Sequence, residues 1–326
     1  MSRADVVDWL LDPEDSDPSI RWQTMRDLVG SPQSQWEAER ARIETEGWGA
    51  RLLGLEDNDG QWAGGAHFPS DFVWGGSESG QPWTATSHVL SQLRDFGLPW
   101  ESESARRAVD RIGKNCRWEH DNQPYWEGEV EPCINGITVA NGTYFGVDLS
   151  PVVDRLLAER MPDGGWNCEA ENGSTRTSFD TTINVLQGLL EVERVGRATT
   201  ESTEARLSGE DYLLKRSLFI RLSTGEPADD DFLELRNPVR WQYDILRALD
   251  YFRDVSSVTG VRPDPRMDHA AEHVLGKRRE DGMWALDKSP PGRVWFDVDD
   301  GPGLPSRWIT LRALRSLEWV GALPTP

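Results

Sequence analysis

The sequence is poor in the features that mark several large classes of protein. Its three cysteines, Cys116, Cys133 and Cys168, are too few and odd in number for a disulfide framework, which favours reduced thiols or metal ligands. Acidic residues outnumber basic ones by 56 to 35, and the resulting net charge of −21 argues against nucleic acid as a partner. The acidic, proline-broken start predicts neither a signal peptide nor a membrane span. We therefore expect a cytoplasmic protein that does not span a membrane.

Linkers, strand patterns and several catalytic motifs are also missing. No Gly/Ser-rich or Pro-rich spacer divides the chain, so residues 1–326 are expected to form a single domain. Alternating runs of β-branched residues are nearly absent, which argues against a β-sheet. The sequence has no Gly-x-Gly-x-x-Gly, no phosphate loop and no Gly-x-Ser-x-Gly, which argues against nucleotide binding and serine hydrolysis.

Tryptophan is abundant, and its placement reveals a repeat. Three of the 16 tryptophans close an Asp-Gly-x-Trp segment, at residues 59–62, 163–166 and 281–284. Asp-Gly favours a turn because glycine accepts a positive φ. After each turn comes a segment typical of a buried helix, and residues 84–90, 180–186 and 308–314 align without gaps. Weaker copies lie at 133–139 and 240–246, and a sixth begins at 21–23.

Charged amphipathic stretches of helical period alternate with these segments. They span residues 104–118, 149–161, 204–222 and 267–279. Alternation of less polar and more polar helices is typical of a ring of helical hairpins. We predict an all-α fold, a single (α/α)6 toroid. Its inner helices should begin near residues 21, 84, 133, 180, 240 and 308 and place their N-termini at one mouth of a central cavity.

The Asp-Gly-x-Trp turns resemble the QW repeats of squalene-hopene cyclases and the related repeats of protein prenyltransferase β subunits, over residues 20 to 320. The glutamine of the QW motif is replaced by Glu56, Arg160 and Arg278, and the length matches one toroid where class II cyclases usually pair two. Short proteins labelled squalene cyclase-like are similar. The resemblance implies an isoprenoid or other apolar small molecule as ligand, and leaves room for a second protein chain that covers the cavity.

Asp180 is the first acid that the resemblance implies. Residues 178–182, Ser-Phe-Asp-Thr-Thr, resemble the Asp-x-Asp-Thr-Thr segment that opens an inner helix in class II terpene cyclases, where the middle Asp protonates an alkene or epoxide. Ser178 replaces the first Asp. This chemistry needs a protonated carboxyl in a dry cavity, with aromatic faces to stabilise the cation. The alternative role of Asp180 is that of a helix N-cap.

Further acids and aromatic residues complete this interpretation. Asp299 and Asp300 belong to a literal Asp-x-Asp-Asp at residues 297–300, which ends in a loop eight residues before Trp308 and so does not open an inner helix. Residues 230–234 imitate a magnesium motif of class I terpene synthases, and we expect a solvated loop there. The candidates for substrate binding are Trp83, Trp166, Trp241, Trp295 and Trp308. Their alternative role is core packing.

A zinc site is the rival interpretation. Glu131-Pro132-Cys133 aligns with the Asp-x-Cys zinc ligands of prenyltransferase β subunits, and Asp180 aligns with their histidine. With Cys168 from the neighbouring loop, Glu131, Cys133 and Asp180 would give zinc four ligands of types that it accepts. The alternative is a pair of buried, inert cysteines. The histidines at 67, 88 and 120 are scattered along the sequence and receive no role.

Three functions follow from these alternatives. The first is an acid-initiated cyclase or isomerase of an isoprenoid, which needs no cofactor. The second is a zinc-dependent enzyme similar to a prenyltransferase. The third is a non-catalytic toroid that binds a lipid or a partner protein, because a fold of this kind does not fix a function.

Overall fold

The computed structural model describes residues 2–76 and 79–324. Within these ranges the chain forms α-helices, short 3-10 helices, one π-helical turn and isolated β-bridges, without a β-strand, so the all-α class is confirmed. The described helices include none that is long and apolar enough to cross a membrane. The α-helices are α1 (Arg3–Leu11), α2 (Pro18–Thr24), α3 (Gln33–Ala41), α4 (Gly47–Leu53), α5 (Thr86–Phe96), α6 (Glu103–Asn115), α7 (Pro132–Tyr144), α8 (Ser150–Ala158), α9 (Phe179–Arg194), α10 (Thr200–Leu214), α11 (Ile245–Thr259), α12 (Asp268–Gly276) and α13 (Arg307–Val320).

The chain folds into two compact units. Unit 1 comprises Met1–Ala50, Leu213–Pro290 and Asp297–Pro326, and unit 2 comprises Arg51–Tyr212 and Pro291–Phe296. Each unit is therefore built from segments that are distant in the sequence. The single domain and the ring of six hairpins stay predictions.

The three Asp-Gly-x-Trp segments share one local structure. Each tryptophan is fully buried, and its indole N–H donates to the carbonyl oxygen ten residues earlier; the pairs are Trp62 with Leu52 (2.8 Å), Trp166 with Leu156 (2.6 Å) and Trp284 with Val274 (2.7 Å). The backbone N–H of each tryptophan donates to a hydroxyl in the aligned helical segment; the acceptors are Thr86 (3.1 Å), Thr182 (3.1 Å) and Thr310 (3.0 Å). Each turn is thus tied both to the helix before it and to the helix after it.

In unit 2, α7 and α9 pack closely through glycines. A Cβ atom on Gly136 would lie 2.6 Å from the backbone at Asn184, and one on Gly188 would lie 2.6 Å from the Gly136 carbonyl oxygen. Both helices begin beside Cys168, which contacts Cys133 of α7 and Thr181 of α9. The two helices therefore run in the same direction, with their N-termini together.

In unit 1, α11 packs against α13, and both helices have side-chain caps. Asp244 accepts from the Arg247 N–H at 2.7 Å at the start of α11, and Ser306 accepts from the Ile309 N–H at 3.0 Å at the start of α13. These caps satisfy amide groups that a helix leaves without an internal partner. The fully buried Asp244 also corrects the predicted start near residue 240, because α11 begins only after this cap.

Candidate functional site

Asp299 lies in the loop before α13 and is fixed by two polar side chains. The Asn237 amide Nδ2 donates to Asp299 Oδ2 at 2.5 Å, and the Ser306 hydroxyl forms a second hydrogen bond to the carboxyl. Ser306 is the N-cap of α13. Asp299 lies seven residues before this cap in the sequence, so it cannot open the helix itself. The loop folds back, however, and brings the Asp299 carboxyl to the N-terminus of α13.

The environment of Asp299 favours the protonated carboxyl. Burial raises the pKa of Asp299 to about 6, against the lowering effect of the hydrogen bonds from Ser306 and Asn237. The negative charge of Asp300 raises this pKa further, while Arg307 lowers it. Asp299 as a residue is half-buried, and its carboxyl group is enclosed. The neighbouring Asp300 is exposed. Asp299 can therefore hold a proton up to about pH 6.

Asp244 is a second buried carboxyl in the same unit. Burial raises the pKa of Asp244, while Arg312 and hydrogen bonds from the Arg247 and Arg236 amides lower it. The Arg236 N–H donates to Asp244 Oδ2 at 3.2 Å, and the next residue in the chain, Asn237, holds Asp299. Arg236 and Asn237, which are adjacent in the chain, thus donate hydrogen bonds to the carboxyl groups of Asp244 and Asp299 respectively.

Two of the predicted substrate-binding tryptophans belong to unit 1. Trp308, in the first turn of α13, is buried and stacks on Trp48 with ring centroids 6.1 Å apart and an interplanar angle of 26°. Trp241 is 38% exposed, in the turn before α11. The stacked pair presents aromatic surface near the helix end that carries Ser306. A role of Trp241 or Trp308 in substrate binding stays a prediction.

The other three predicted tryptophans lie in unit 2 and use their N–H groups in packing. Trp166 is fully buried and forms the repeat contact described above. The Trp83 indole N–H donates to the Pro291 carbonyl oxygen at 2.9 Å, and that of Trp295 donates to the Thr84 carbonyl oxygen at 3.0 Å. These contacts hold residues 291–296 against the start of α5. These contacts are of the kind expected for core packing, and a role of the three tryptophans in substrate binding stays a prediction.

Asp180 lies in the first turn of α9 and is not its cap. The cap is Ser178, whose hydroxyl accepts from the Thr181 N–H at 3.4 Å, so the alternative role predicted for Asp180 is wrong. Ser178 occupies the position of the first Asp in the cyclase motif. The Asp180 side chain is partly exposed, and its backbone carbonyl accepts from Asn184. Its catalytic role stays a prediction.

Glu131, Cys133 and Cys168 come together at the shared end of α7 and α9. Their potential ligand atoms all lie within 4.8 Å of one another, and Asp180 is not a member of this group. The Cys133 and Cys168 sulfurs are 2.6 Å apart, and Cys133 Sγ donates to Glu131 Oε2 at 3.5 Å. Both thiols are free and half-buried, unlike the buried Cys116. The metal site and the inert pair of cysteines both stay predictions.

The donor types of this cluster suit zinc, but the sulfur spacing does not. Two thiolates that bind one tetrahedral zinc ion at about 2.3 Å lie about 3.8 Å apart. The observed separation of 2.6 Å is shorter by about 1 Å. The carboxylate of Glu131 would give only a third ligand. As placed, these residues therefore do not fit a shared zinc ion.

A histidine pair in unit 2 has no counterpart in the sequence analysis. His67 and His88 are both buried, with ring centroids 4.6 Å apart, and the Gln81 amide lies 2.9 Å from His67 Nε2 and 3.2 Å from His88 Nε2. Burial lowers the pKa of His67 to about 4, so this imidazole stays neutral near pH 7. The two histidines are far apart in the sequence, as described above, but the fold brings their rings into contact.

The segment that imitates a magnesium motif forms a short 3-10 helix, Asp230–Leu233, on the surface. Asp230 and Asp231 are exposed, and Asp231 pairs with Lys288 at 2.9 Å and with Arg236 at 3.2 Å. Two cations therefore already neutralise the acid that would have to bind magnesium. The segment is solvated, as the sequence analysis expects.

Comparisons with known proteins give distant structural similarity. No protein-family model matches the sequence, and no curated protein matches it. A crystal structure of a protein from Actinoplanes is similar with a TM-score of 0.47 and 16% identity, covering 98% of this chain and all of that chain. The apo type II terpene cyclase MstE from Scytonema is similar with a TM-score of 0.43 and 14% identity, covering 97% of this chain and 91% of that one. At these TM-scores neither similarity carries an argument about activity.

The residues that hold Asp299 could not be recognised from the sequence. Asn237 and Ser306 carry no motif, and Asp244 appears only inside a weak copy of the repeat. One signal was available for Ser306, because a serine just before an apolar helical segment is typical of an N-cap. No sequence signal joins Asn237 to Asp299, since their contact spans 62 residues.

Proposed function

We propose that the protein is an acid-initiated cyclase or isomerase of an isoprenoid substrate, with Asp299 as the general acid. The observation that carries the proposal is a carboxyl with a pKa of about 6, held by Asn237 and Ser306 at the N-terminus of α13. An acid must be protonated near the working pH and must lose its proton readily. Asp299 combines burial with hydrogen bonds that stabilise its conjugate base.

The proton transfer can be written with these residues alone. The Asp299 O–H gives its proton to the oxygen of an epoxide or to an alkene carbon of the substrate, and a carbocation forms. Attack by a second alkene on the cation closes a ring, and loss of a proton to a base ends the sequence. The Asp299 carboxylate left behind keeps its hydrogen bonds to Asn237 and Ser306, and the positive N-terminus of α13 stabilises it. Trp308 and Trp48 offer aromatic faces of the kind that stabilise cations.

Asp299 suits this role better than Asp180. Asp180 lies in the first turn of α9, where the helix dipole favours the ionised carboxylate. For Asp299, burial raises the pKa to about 6 in spite of the hydrogen bonds from Ser306 and Asn237. An acid with a pKa of about 6 matches an epoxide better than an unactivated alkene, because the epoxide oxygen is far more basic.

The test is turnover of isoprenoid epoxides and polyenes of graded length by the wild type and by Asp299→Asn. We expect the substitution to lower kcat by about 10²- to 10⁴-fold, the usual contribution of a general acid. Asp297→Asn, at an exposed position of the same Asp-x-Asp-Asp segment, is the matched control and should keep full activity. Unchanged turnover by Asp299→Asn, with loss in Asp180→Asn, would move the acid to α9.

The pH dependence gives a second test of the same acid. The active form of Asp299 is protonated, so kcat should fall about tenfold for each pH unit above a pKa of about 6. Asp300→Asn removes a negative charge that raises the pKa of Asp299, so the falling limb should shift to lower pH. A shift in the opposite direction, or a flat profile between pH 5 and pH 8, would argue against Asp299.

A zinc-dependent prenyl transfer is the second candidate, favoured by the proximity of Glu131, Cys133 and Cys168. Their sulfur spacing argues against it. Elemental analysis of the untagged wild type and of Cys133→Ala decides whether the protein binds zinc. About one zinc per chain in the wild type, lost in the variant, would support zinc-dependent prenyl transfer. Absence of zinc in both after reconstitution would remove this candidate. Binding of isoprenoids without turnover by any variant would favour a non-catalytic protein.

A further inference from the structure

The pair of sulfurs at the shared end of α7 and α9 calls for a chemical explanation. Cys133 and Cys168 are free cysteines, yet their Sγ atoms lie 2.6 Å apart, well inside the contact distance of about 3.5 Å for unbonded heavy atoms. Neither a shared zinc nor two independent thiols accounts for this separation. Disulfide formation requires two sulfurs that approach directly, and here no segment has to travel far to bring them into bonding distance.

We propose that Cys133 and Cys168 form a reversible disulfide, with a low-molecular-weight disulfide such as glutathione disulfide as the oxidant. The Cys168 thiolate attacks one sulfur of the oxidant and releases one thiolate, which leaves a mixed disulfide on Cys168. The Cys133 sulfur then attacks Cys168 Sγ and displaces the second thiol. Two protein thiols lose two electrons and two protons, and the oxidant becomes two thiols.

The surroundings give the two thiols different roles. Cys133 is assigned as the resolving thiol, because its S–H donates to Glu131 Oε2 at 3.5 Å. Glu131 is placed to accept the Cys133 proton as its sulfur attacks. The Thr181 hydroxyl donates to Cys168 Sγ at 3.4 Å, whereas Cys133 is the thiol that is paired with Glu131. Cys168 therefore attacks first.

Oxidation would join two segments that lie 35 residues apart in the sequence and touch in unit 2. The bond would tie the first turn of α7 to the short 3-10 helix, Cys168–Ala170, that precedes α9. The disulfide would also withdraw both thiols from any metal. This proposal does not depend on Asp299, so it can fail while the acid mechanism stands.

The experiment is thiol counting on the full chain after reduction and removal of metals with a chelator. The protein is treated with glutathione disulfide near neutral pH, unfolded in maleimide and weighed by mass spectrometry. The wild type should bind three maleimides before oxidation and one afterwards, with loss of two hydrogens and no retained glutathione. A peptide that joins Cys133 to Cys168 should appear after digestion without reductant.

Single variants separate the two roles and provide a control. Cys133→Ser should retain one glutathione on Cys168, because the resolving thiol is missing. Cys116→Ser, which removes the buried third cysteine, should oxidise like the wild type. Wild-type protein that still binds three maleimides after oxidation would overturn the proposal. So would a wild type that retains glutathione without forming the Cys133–Cys168 link.

Discussion

At the scale of single residues, buried hydrogen bonds join each turn of the repeat to the next helix. The Trp166 N–H donates to Thr182 Oγ1 at 3.1 Å, and both residues are fully buried. Equivalent bonds join Trp62 to Thr86 and Trp284 to Thr310. A threonine inside a helix is an unusual choice on propensity alone, since β-branched residues lose side-chain freedom there. Its hydroxyl at this position supplies an acceptor that no apolar residue could.

Thr182→Val should therefore destabilise the protein although it keeps the shape of the side chain. The Trp166 N–H would remain buried without an acceptor, which costs about 1–3 kcal/mol. Urea unfolding followed by tryptophan fluorescence measures the change. Thr175→Val, at an exposed position in the loop before α9, is the control and should shift stability by less than about 0.5 kcal/mol. Equal stability of the two variants would show that the hydroxyl is not needed.

At the scale of elements, close contact between α7 and α9 depends on glycine. Gly136 and Gly188 lie inside helices, where glycine costs about 1 kcal/mol relative to alanine. A Cβ atom added at either position would lie 2.6 Å from backbone atoms of the partner helix, which cannot move aside as a side chain can. This packing also fixes the relative position of the two helix starts, where Cys133 and Cys168 meet.

Gly136→Ala should force the two helices apart and destabilise the protein by about 1–3 kcal/mol, in spite of the better helix propensity of alanine. Gly276→Ala, at the end of α12, is the matched control, because its new Cβ would have no heavy atom within 4 Å. That variant should be as stable as the wild type or slightly more stable. Thermal unfolding of both variants checks the prediction, and a neutral Gly136→Ala would contradict the close packing.

At the scale of the whole molecule, the acidic composition has opposing effects on stability. A net charge of −21 at pH 7 makes the folded chain repel itself, and this repulsion weakens as the pH falls. The core of unit 1 nevertheless contains carboxylates that must stay ionised. Burial by itself would raise the pKa of Asp27 and of Asp250, but the positive charge of Arg315 helps to hold both below their usual range.

The sign of the pH dependence follows from these pKa shifts. Carboxyls with lowered pKa values, such as Asp27 and Asp250, contribute stability above their unfolded pKa of about 3.9 and lose it as the pH falls further. Asp299 has a raised pKa, so it contributes stability as the pH falls from about 6 towards 3.9. We expect maximal stability between about pH 4 and pH 6 and acid unfolding below it, as measured by urea unfolding at a series of pH values.

Arg315→Met should cost about 1–3 kcal/mol at pH 7, because it removes one of the cations that pair with the buried carboxylates Asp27 and Asp250, which keep Arg253 and Arg312. The loss should shrink near pH 4, where those carboxyls can take up protons. Arg266→Met, which breaks an exposed pair with Asp264, is the control and should cost less than about 1 kcal/mol. A loss for Arg315→Met that stays the same from pH 7 to pH 4 would contradict the role given to its charge.

The sequence by itself determined the helical class, the Asp-Gly-x-Trp turns and the alignment of the helical segments that follow them. These features depend on helical periodicity and turn chemistry, which act over a few residues. Helix starts were close for the same reason, except at α11, where the cap Asp244 was missed. The candidate acids were also visible in the sequence, but the residues around them were not.

Only the tertiary structure decided that Asp299 has a raised pKa and which cysteines meet. The pKa of Asp299 depends on burial and on Asn237, 62 residues away, and Cys133 reaches Cys168 across 35 residues because α7 and α9 share one end. His67 and His88 come together in the same way. Burial and charge are properties of the packed neighbourhood, and long-range packing, not local pattern, sets that neighbourhood.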